Sequence, residues 1–316
     1  MKQLSKPATW KILLAFSIIY FVWGSTFLFI RIGVREVPPL LLAGMRFFIA
    51  GAALYGWMLM RGTPSPTPRQ WGAASLLAVF IFLLDYGLLF WAEERVPSGI
   101  AAVMLATIPV FMTASEILVL RTQRLTARLA AGLLIGIGGV AVLMSHSANF
   151  GEAAVDTRGA IALIIAAISW SIASTLTSKL PLPASKPMSS GIQMFAGGIF
   201  LITAAALFGE FRGFHFAAVS NRAWFALAYL IVAGSIVGFT AYLWLLHHES
   251  PTKVGTYAYV NPVVAVIIGY FLGGESIGPR TIAGTALILV SVVVITTMPK
   301  PKPAADPYPE AQQAES

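Results

Sequence analysis

Ten stretches of predominantly apolar residues, each close to the roughly 20 that a helix needs to cross a bilayer, follow one another along this chain. They are Ile12–Ile30, Leu40–Met60, Trp71–Trp91, Ser98–Leu120, Ala127–Ser145, Gly159–Ser178, Met188–Phe208, Ala223–Leu246, Thr252–Gly273 and Arg280–Met298. Inside a bilayer every backbone N–H and C=O must find its partner within the protein, so runs of this length are predicted to be helices. The connections between them, such as RGTPSPTPRQ, are short and rich in Pro and charge, and none is large enough to be a soluble domain. Only 11% of the 316 residues are charged, against about 25% in a soluble domain. The fold class is therefore an all-α integral membrane protein with ten transmembrane helices and the lipid bilayer as its surroundings.

The net charge of +8 would suggest nucleic acid in a soluble protein, but in a membrane protein basic residues gather in cytoplasmic loops. With ten spans both termini lie on one side. If that side is the cytoplasm, thirteen lysines and arginines, among them Lys2, Lys6, Arg61 and Arg124, face inward. Seven, among them Arg31 and Arg212, face outward, and Arg46 falls inside a span. This asymmetry follows the positive-inside rule and predicts cytoplasmic termini. The apolar run after Lys2, Lys6 and Lys11 is long enough to span, and reads as a retained helix rather than a leader. Residues 299–316 are Pro-rich and polar and read as a disordered cytoplasmic tail.

The two halves repeat each other. Adding 147 carries Trp23 to Trp170, Gly44 to Gly191, Phe48 to Phe195 and Gly51 to Gly198; adding 153 carries Trp71 to Trp224, Trp91 to Trp244 and Pro109 to Pro262. The halves are bounded as 11–146 and 158–298. Each holds five spans, an odd number, so the second copy enters the membrane from the opposite side. Two inverted five-helix repeats are an architecture for alternating access, with the substrate site near the midplane between them.

Three segments carry a further likeness: IIYFVWGSTFLFIRIG in the first span, PPLLLAGMRFFIAG in the second, and PTKVGTYAYVNPVVAVIIGYFLGGESI in the ninth. In their order and spacing they resemble EamA-type transporters of the drug/metabolite transporter superfamily, from about Lys11 to Met298. The resemblance implies ten helices, cytoplasmic termini and export of small metabolites, amino acids or drugs across a bacterial inner membrane. Glu275 looks like the family's glutamate after the ninth span, whereas the first repeat has Thr122 or Gln123 there.

Polar residues deep in the spans mark the candidate substrate site. Trp71, Trp91, Trp224 and Trp244 lie at span ends, where indoles form interfacial belts. Trp23 and Trp170 are repeat equivalents near mid-span, and either line a cavity or pack against a neighbour. Arg46 either binds an anionic group, pairs with a carboxylate or reaches back to the interface. Its equivalent is Gln193, also polar. Asp85, followed by Tyr86, is a candidate proton carrier; the competing reading is an ion pair with Arg46 or Arg31. Glu116, near the end of the fourth span, is expected to form a solvated pair with Arg121 or Arg124.

In the ninth span Tyr257 and Asn261 share a helical face, while Tyr259 points away. Pro262 leaves the carbonyl of Ala258 without its helical donor, and Pro109, close after Thr107, is the equivalent kink in the fourth span. Freed carbonyls inside a membrane are tolerated beside a polar cavity. The candidate substrate-binding residues are thus Trp23, Arg46, Tyr86, Thr107, Trp170, Gln193, Tyr257 and Asn261, with Asp85 for proton coupling and Pro109 and Pro262 as kinks. Gly132 with Gly136, and Gly269 with Gly273, are spaced for close helix packing; the pattern suits a monomer and a dimer equally.

No zinc-protease, serine-hydrolase or Cys/His signature is present, and His247 and His248 point apart on a helix, which argues against a metal pair. The chain is expected to be neither an enzyme nor a cofactor protein. The function read from the sequence is a secondary active transporter of small molecules; an importer or a facilitative channel is the competing reading.

Overall fold

A computed structural model describes residues 7–95, 104–144, 156–273 and 279–298. The described residues fold into helices linked by short turns. They are α1 (Thr9–Val34), α2 (Pro39–Met60), α3 (Pro68–Glu93), α4 (Ile108–Leu120), α5 (Ala127–Met144), α6 (Thr157–Leu176), α7 (Lys186–Leu207), α8 (Asn221–His248), α9 (Tyr257–Gly273) and α10 (Pro279–Thr296). Six of them, α1, α2, α3, α6, α7 and α8, are long and apolar enough to cross a membrane. Residues 98–103 of the fourth predicted span, Glu275 and the tail at 299–316 lie outside the described residues.

Helix starts follow local chemistry. Thr67 and Gln70 form a reciprocal capping box at α3, and Asp156, Ser185 and Ser220 cap α6, α7 and α8 with side-chain oxygens. The ends of α2 and α7 match each other: Gly62 and Gly209, 147 positions apart, turn the chain at φ +76° and +77°. In both turns the next amide reaches back to close the helix, Thr63 to the carbonyl of Met58 and Glu210 to that of Ala205.

Small residues set the central packing. A Cβ on Gly51 would lie 2.2 Å from the amide nitrogen of Phe195, and one on Gly198 would lie 2.2 Å from that of Phe48. Gly44 meets Ile202, and its equivalent Gly191 meets Tyr55. Along this seam one number rises as the other falls, so α2 and α7 run antiparallel, and each contact recurs with the partners exchanged. α5 and α10 pack in the same antiparallel manner. Gly132, Gly136 and Gly139 meet Ile295, Ser291 and Ile288, and Ser291 Oγ donates to the carbonyl of Gly132 at 2.7 Å. The expected close packing at Gly132 and Gly136 is present; Gly269 and Gly273 have no described packing.

Large apolar side chains such as Leu13, Leu134, Phe225 and Val293 are exposed on the outside, a surface suited to lipid. The interior holds the aromatic and polar residues.

One expectation for the backbone needs correction. Pro109 lies in the first turn of α4, just after a turn at Ala106–Thr107. A proline there lacks an N–H that would have been unpaired anyway, so it opens the helix rather than kinking it. In the ninth span Pro262 lies inside α9, and the helix has a further interruption at Gly255–Thr256, between the single turn Pro251–Val254 and α9.

Candidate functional site

Five helices bring aromatic side chains to one point. Trp23 comes from α1, Tyr86 from α3, Trp170 from α6, Tyr242 from α8 and Tyr257 from α9. Trp23 lies 5.6 Å from Trp170 and 4.8 Å from Tyr257 between ring centroids, both at 78°. Trp170 lies 5.9 Å from Tyr86 at 80° and 5.0 Å from Tyr242. Edge-to-face packing of this kind suits the ring quadrupoles and fixes each ring against the next. Trp23, Tyr86, Trp170 and Tyr257 border a cavity of about 60 Å³, whose wall also includes Asp85, Ala258, Asn261 and Pro262.

Local helix geometry puts these groups there. α3 widens over Val79–Tyr86 and α8 over Leu230–Phe239 into turns of the i→i+5 type, and the two segments correspond under the 153-residue offset. Such widened turns are frequent at functional sites because they re-aim side chains and loosen the carbonyl ladder. Asp85 and Tyr86 leave the end of the first widened segment. In the second, the carbonyl of Gly234 accepts from Trp23 Nε1 at 2.9 Å, and a Cβ on Gly238 would lie 2.5 Å from that same nitrogen.

The cavity keeps unsatisfied polar groups. Trp170 Nε1 and Asn261 Oδ1 are buried without a hydrogen-bond partner. Asp85 is 5% exposed and makes no hydrogen bond or ion pair among the described residues. The predicted pairing of Asp85 with Arg46 or Arg31 is therefore absent. A buried donor, acceptor and carboxyl at one small cavity can engage a polar solute without first giving up internal partners.

Among the predicted site residues, Trp23, Asp85, Tyr86, Trp170, Tyr257, Asn261 and Pro262 share this wall. Four others lie elsewhere, one of them Pro109 at the start of α4. Arg46 is fully buried behind Tyr86: its Nε donates to Ser235 Oγ at 2.8 Å, and its guanidinium lies 5.3 Å from the Tyr86 ring and 4.6 Å from the Phe47 ring. It does not reach the interface. Gln193 is buried on α7, where its Nε2 donates to Ser189 Oγ at 3.0 Å. Thr107 donates to the carbonyl of Met104 at 2.5 Å in the turn before α4, while its neighbours Leu105 and Ile108 line the cavity. The sequence reading missed Tyr242, which hydrogen-bonds Ser174 and touches Trp23, Trp170 and Tyr257. Its equivalent is Leu89, so the repeat gave no polar pair to notice.

Beyond the cavity, towards the ends of α4 and α6, polar contacts close the interior. Tyr20 and Thr256 hydroxyls are 2.7 Å apart, and those of Thr113 and Thr252 3.0 Å. Glu116 is 2% exposed, accepts from the amide of Thr252 at 2.9 Å and also from its hydroxyl. The expected solvated pair with Arg121 or Arg124 is thus replaced by a buried contact, because the helix face carrying Glu116 meets the turn Pro251–Val254 rather than solvent.

Apolar helices enclosing a small aromatic and polar cavity define a multi-pass membrane protein of the transporter class. The chain belongs to the EamA-like transporter family, which matches it twice, over residues 9–145 and 157–297. It is 37% identical over 280 residues to the uncharacterized inner membrane transporter YedA of Escherichia coli K12, covering 88% of each chain. It is 25% identical over 285 residues to a probable amino-acid metabolite efflux pump of Salmonella typhimurium, covering 88% of this chain and 92% of that one. A solved crystal structure shares the fold at a TM-score of 0.74 and 20% identity, covering 92% of this chain and 97% of the other. The family and the relatives' names indicate a multi-pass inner membrane transporter.

Proposed function

We propose that this chain is a secondary active transporter that exports small metabolites, amino acids or drugs across the inner membrane by alternating access. The observation that carries the reading is the aromatic cavity at the meeting of the two halves, closed on one side by the Tyr20–Thr256 and Glu116–Thr252–Thr113 contacts. The antiparallel, partner-exchanging packing of α2 on α7 supports two inverted five-helix repeats, bounded near 11–146 and 158–298, with ten spans and both termini cytoplasmic. Rocking the halves about this seam would break the hydrogen bonds at the closed side and open the cavity there. Export is the direction suggested by the Salmonella relative's printed name. Asp85, buried and unpaired at the cavity, is the group proposed to carry a coupling proton.

The test is counterflow in proteoliposomes loaded with unlabelled amino acids or drug-like amines. Saturable, transient accumulation of labelled solute is expected. Flux that never saturates would favour the channel reading, and no flux of any solute would remove the transport assignment for this set.

A further inference from the structure

A second and roomier cavity, about 250 Å³, lies where the C-terminal ends of α6 and α8 meet the start of α7. Its wall combines Lys186, His247, Ser178 and Ser189 with apolar residues such as Leu180 and Leu243. Lys186 is the first residue of α7, where the helix dipole is already positive and a cation is unfavourable. His247 places a second basic side chain on the same wall. Among the described residues neither side chain has a carboxylate partner. Ser189 is 2% exposed; it accepts from Gln193, and among the described residues its own hydroxyl proton has no acceptor.

In the first half the same problem is resolved by a carboxylate that the second half supplies. The equivalent helix start is that of α2, and there Glu210 accepts from the amides of Leu40 at 3.2 Å and Leu41 at 2.8 Å. Glu210 follows the left-handed Gly209, and the matching residue after Gly62 is Thr63, which brings no charge. Glu210 also senses Glu94, the residue equivalent to His247 under the 153-residue offset. At α7 the amide of Met188, equivalent to Leu41, has only the neutral Ser185 hydroxyl at 3.4 Å. The start of α2 therefore receives an anion from the opposite half, while the start of α7 presents two basic groups around an open cavity.

We infer that this second cavity binds an oxyanion of the phosphate type, held by Lys186, His247 and the Ser189 hydroxyl in the place Glu210 takes in the other half. The phosphate of an anionic lipid headgroup and free inorganic phosphate share this chemistry, and the leucine wall suits the former's glycerol end. The site is separate from the central cavity and does not depend on what the protein transports.

The experiment measures the melting temperature of the full chain at constant ionic strength in neutral detergent with inorganic phosphate. It is repeated in nanodiscs of phosphatidylglycerol against phosphatidylcholine. A rise of about 2–4 °C is expected with phosphate, with phosphatidylglycerol, or with both, and should vanish in the Lys186→Gln/His247→Gln double variant. A rise with phosphate marks the free anion as a ligand; a rise confined to phosphatidylglycerol marks the headgroup. No rise in either arm, or a rise that survives in the double variant, overturns the site. If the double variant does not fold, Thr63→Glu decides: a carboxylate supplied as in the first half should abolish the response, and a response of full size would overturn the site.

Discussion

Asn261 and Tyr257 stand one helical turn apart at the cavity, and Asn261 brings an acceptor that nothing inside the protein satisfies. A solute that donates to it gains a hydrogen bond worth about 0.5–1.5 kcal/mol, up to roughly a tenfold change in affinity. Asn261→Leu is therefore expected to lower apparent solute affinity about tenfold in counterflow while leaving folded protein abundant by size-exclusion chromatography. Unchanged affinity would remove Asn261 from the site. Asp85→Asn separates binding from coupling: exchange of labelled for unlabelled solute should persist, while accumulation driven by an imposed proton gradient should disappear. Trp23 and Trp170 stood out in the sequence through mid-span depth and repeat pairing, and Tyr257 and Asn261 through a shared helical face beside Pro262. Arg46 and Gln193 show the limit of depth as a guide. Each is as deep as predicted, but sequence position fixes depth without fixing which neighbour the side chain turns towards, and both turn into helix contacts.

At the scale of helices, the α2–α7 seam makes a symmetric claim. Gly51 and Gly198 each face backbone atoms of the other helix at 2.2 Å from a notional Cβ, so Gly51→Val and Gly198→Val should cost alike, about 1–3 kcal/mol or more. Thermal unfolding in detergent should show both variants melting lower by similar amounts. Gly56→Ala, in the same α2 but with open space around its Cβ, should be neutral or stabilising by about 0.5–1 kcal/mol. A Gly51→Val protein as stable as the parent would contradict the close approach. Six of the spans were readable because about twenty apolar residues admit one solution in a bilayer. The breaks were less readable. Pro109 and Pro262 are aligned by the repeat but behave differently, one opening α4 and one lying within α9, because the interruption in the second half falls at Gly255–Thr256. Gly255 packs there against Met112 of α4, a tertiary contact with no local sequence signature.

At the scale of the whole molecule, the two ends are tied differently. Outside the spans, Glu36 accepts from the amide and the hydroxyl of Ser220, both at 2.7 Å, joining the α1–α2 turn to the start of α8. The Ser220 amide, and then its hydroxyl, hold the Glu36 carboxyl below its ordinary range. A depressed carboxyl stabilises the folded form fully above its unfolded pKa and loses that effect as pH falls through the folded value. Hydrogen exchange at the Ser220 amide, corrected for its intrinsic rate, should therefore rise on acidification below the ordinary carboxylate range, and Glu36→Gln should remove the dependence. The other end is tied by Thr113, Thr252 and Glu116, which join α4 to the turn before α9, its counterpart in the other half. If transport needs the halves to rock, this contact must open in every cycle. The chain contains no cysteine, so Thr113→Cys with Thr252→Cys places the only two thiols where hydroxyl oxygens now lie 3.0 Å apart, a separation that a disulfide can bridge. Oxidation should stop counterflow, and reduction should restore it to the level of the unoxidised double variant. Full counterflow in protein shown by mass to be cross-linked would mean that this end stays shut throughout transport, and the rocking motion about the α2–α7 seam would have to be abandoned.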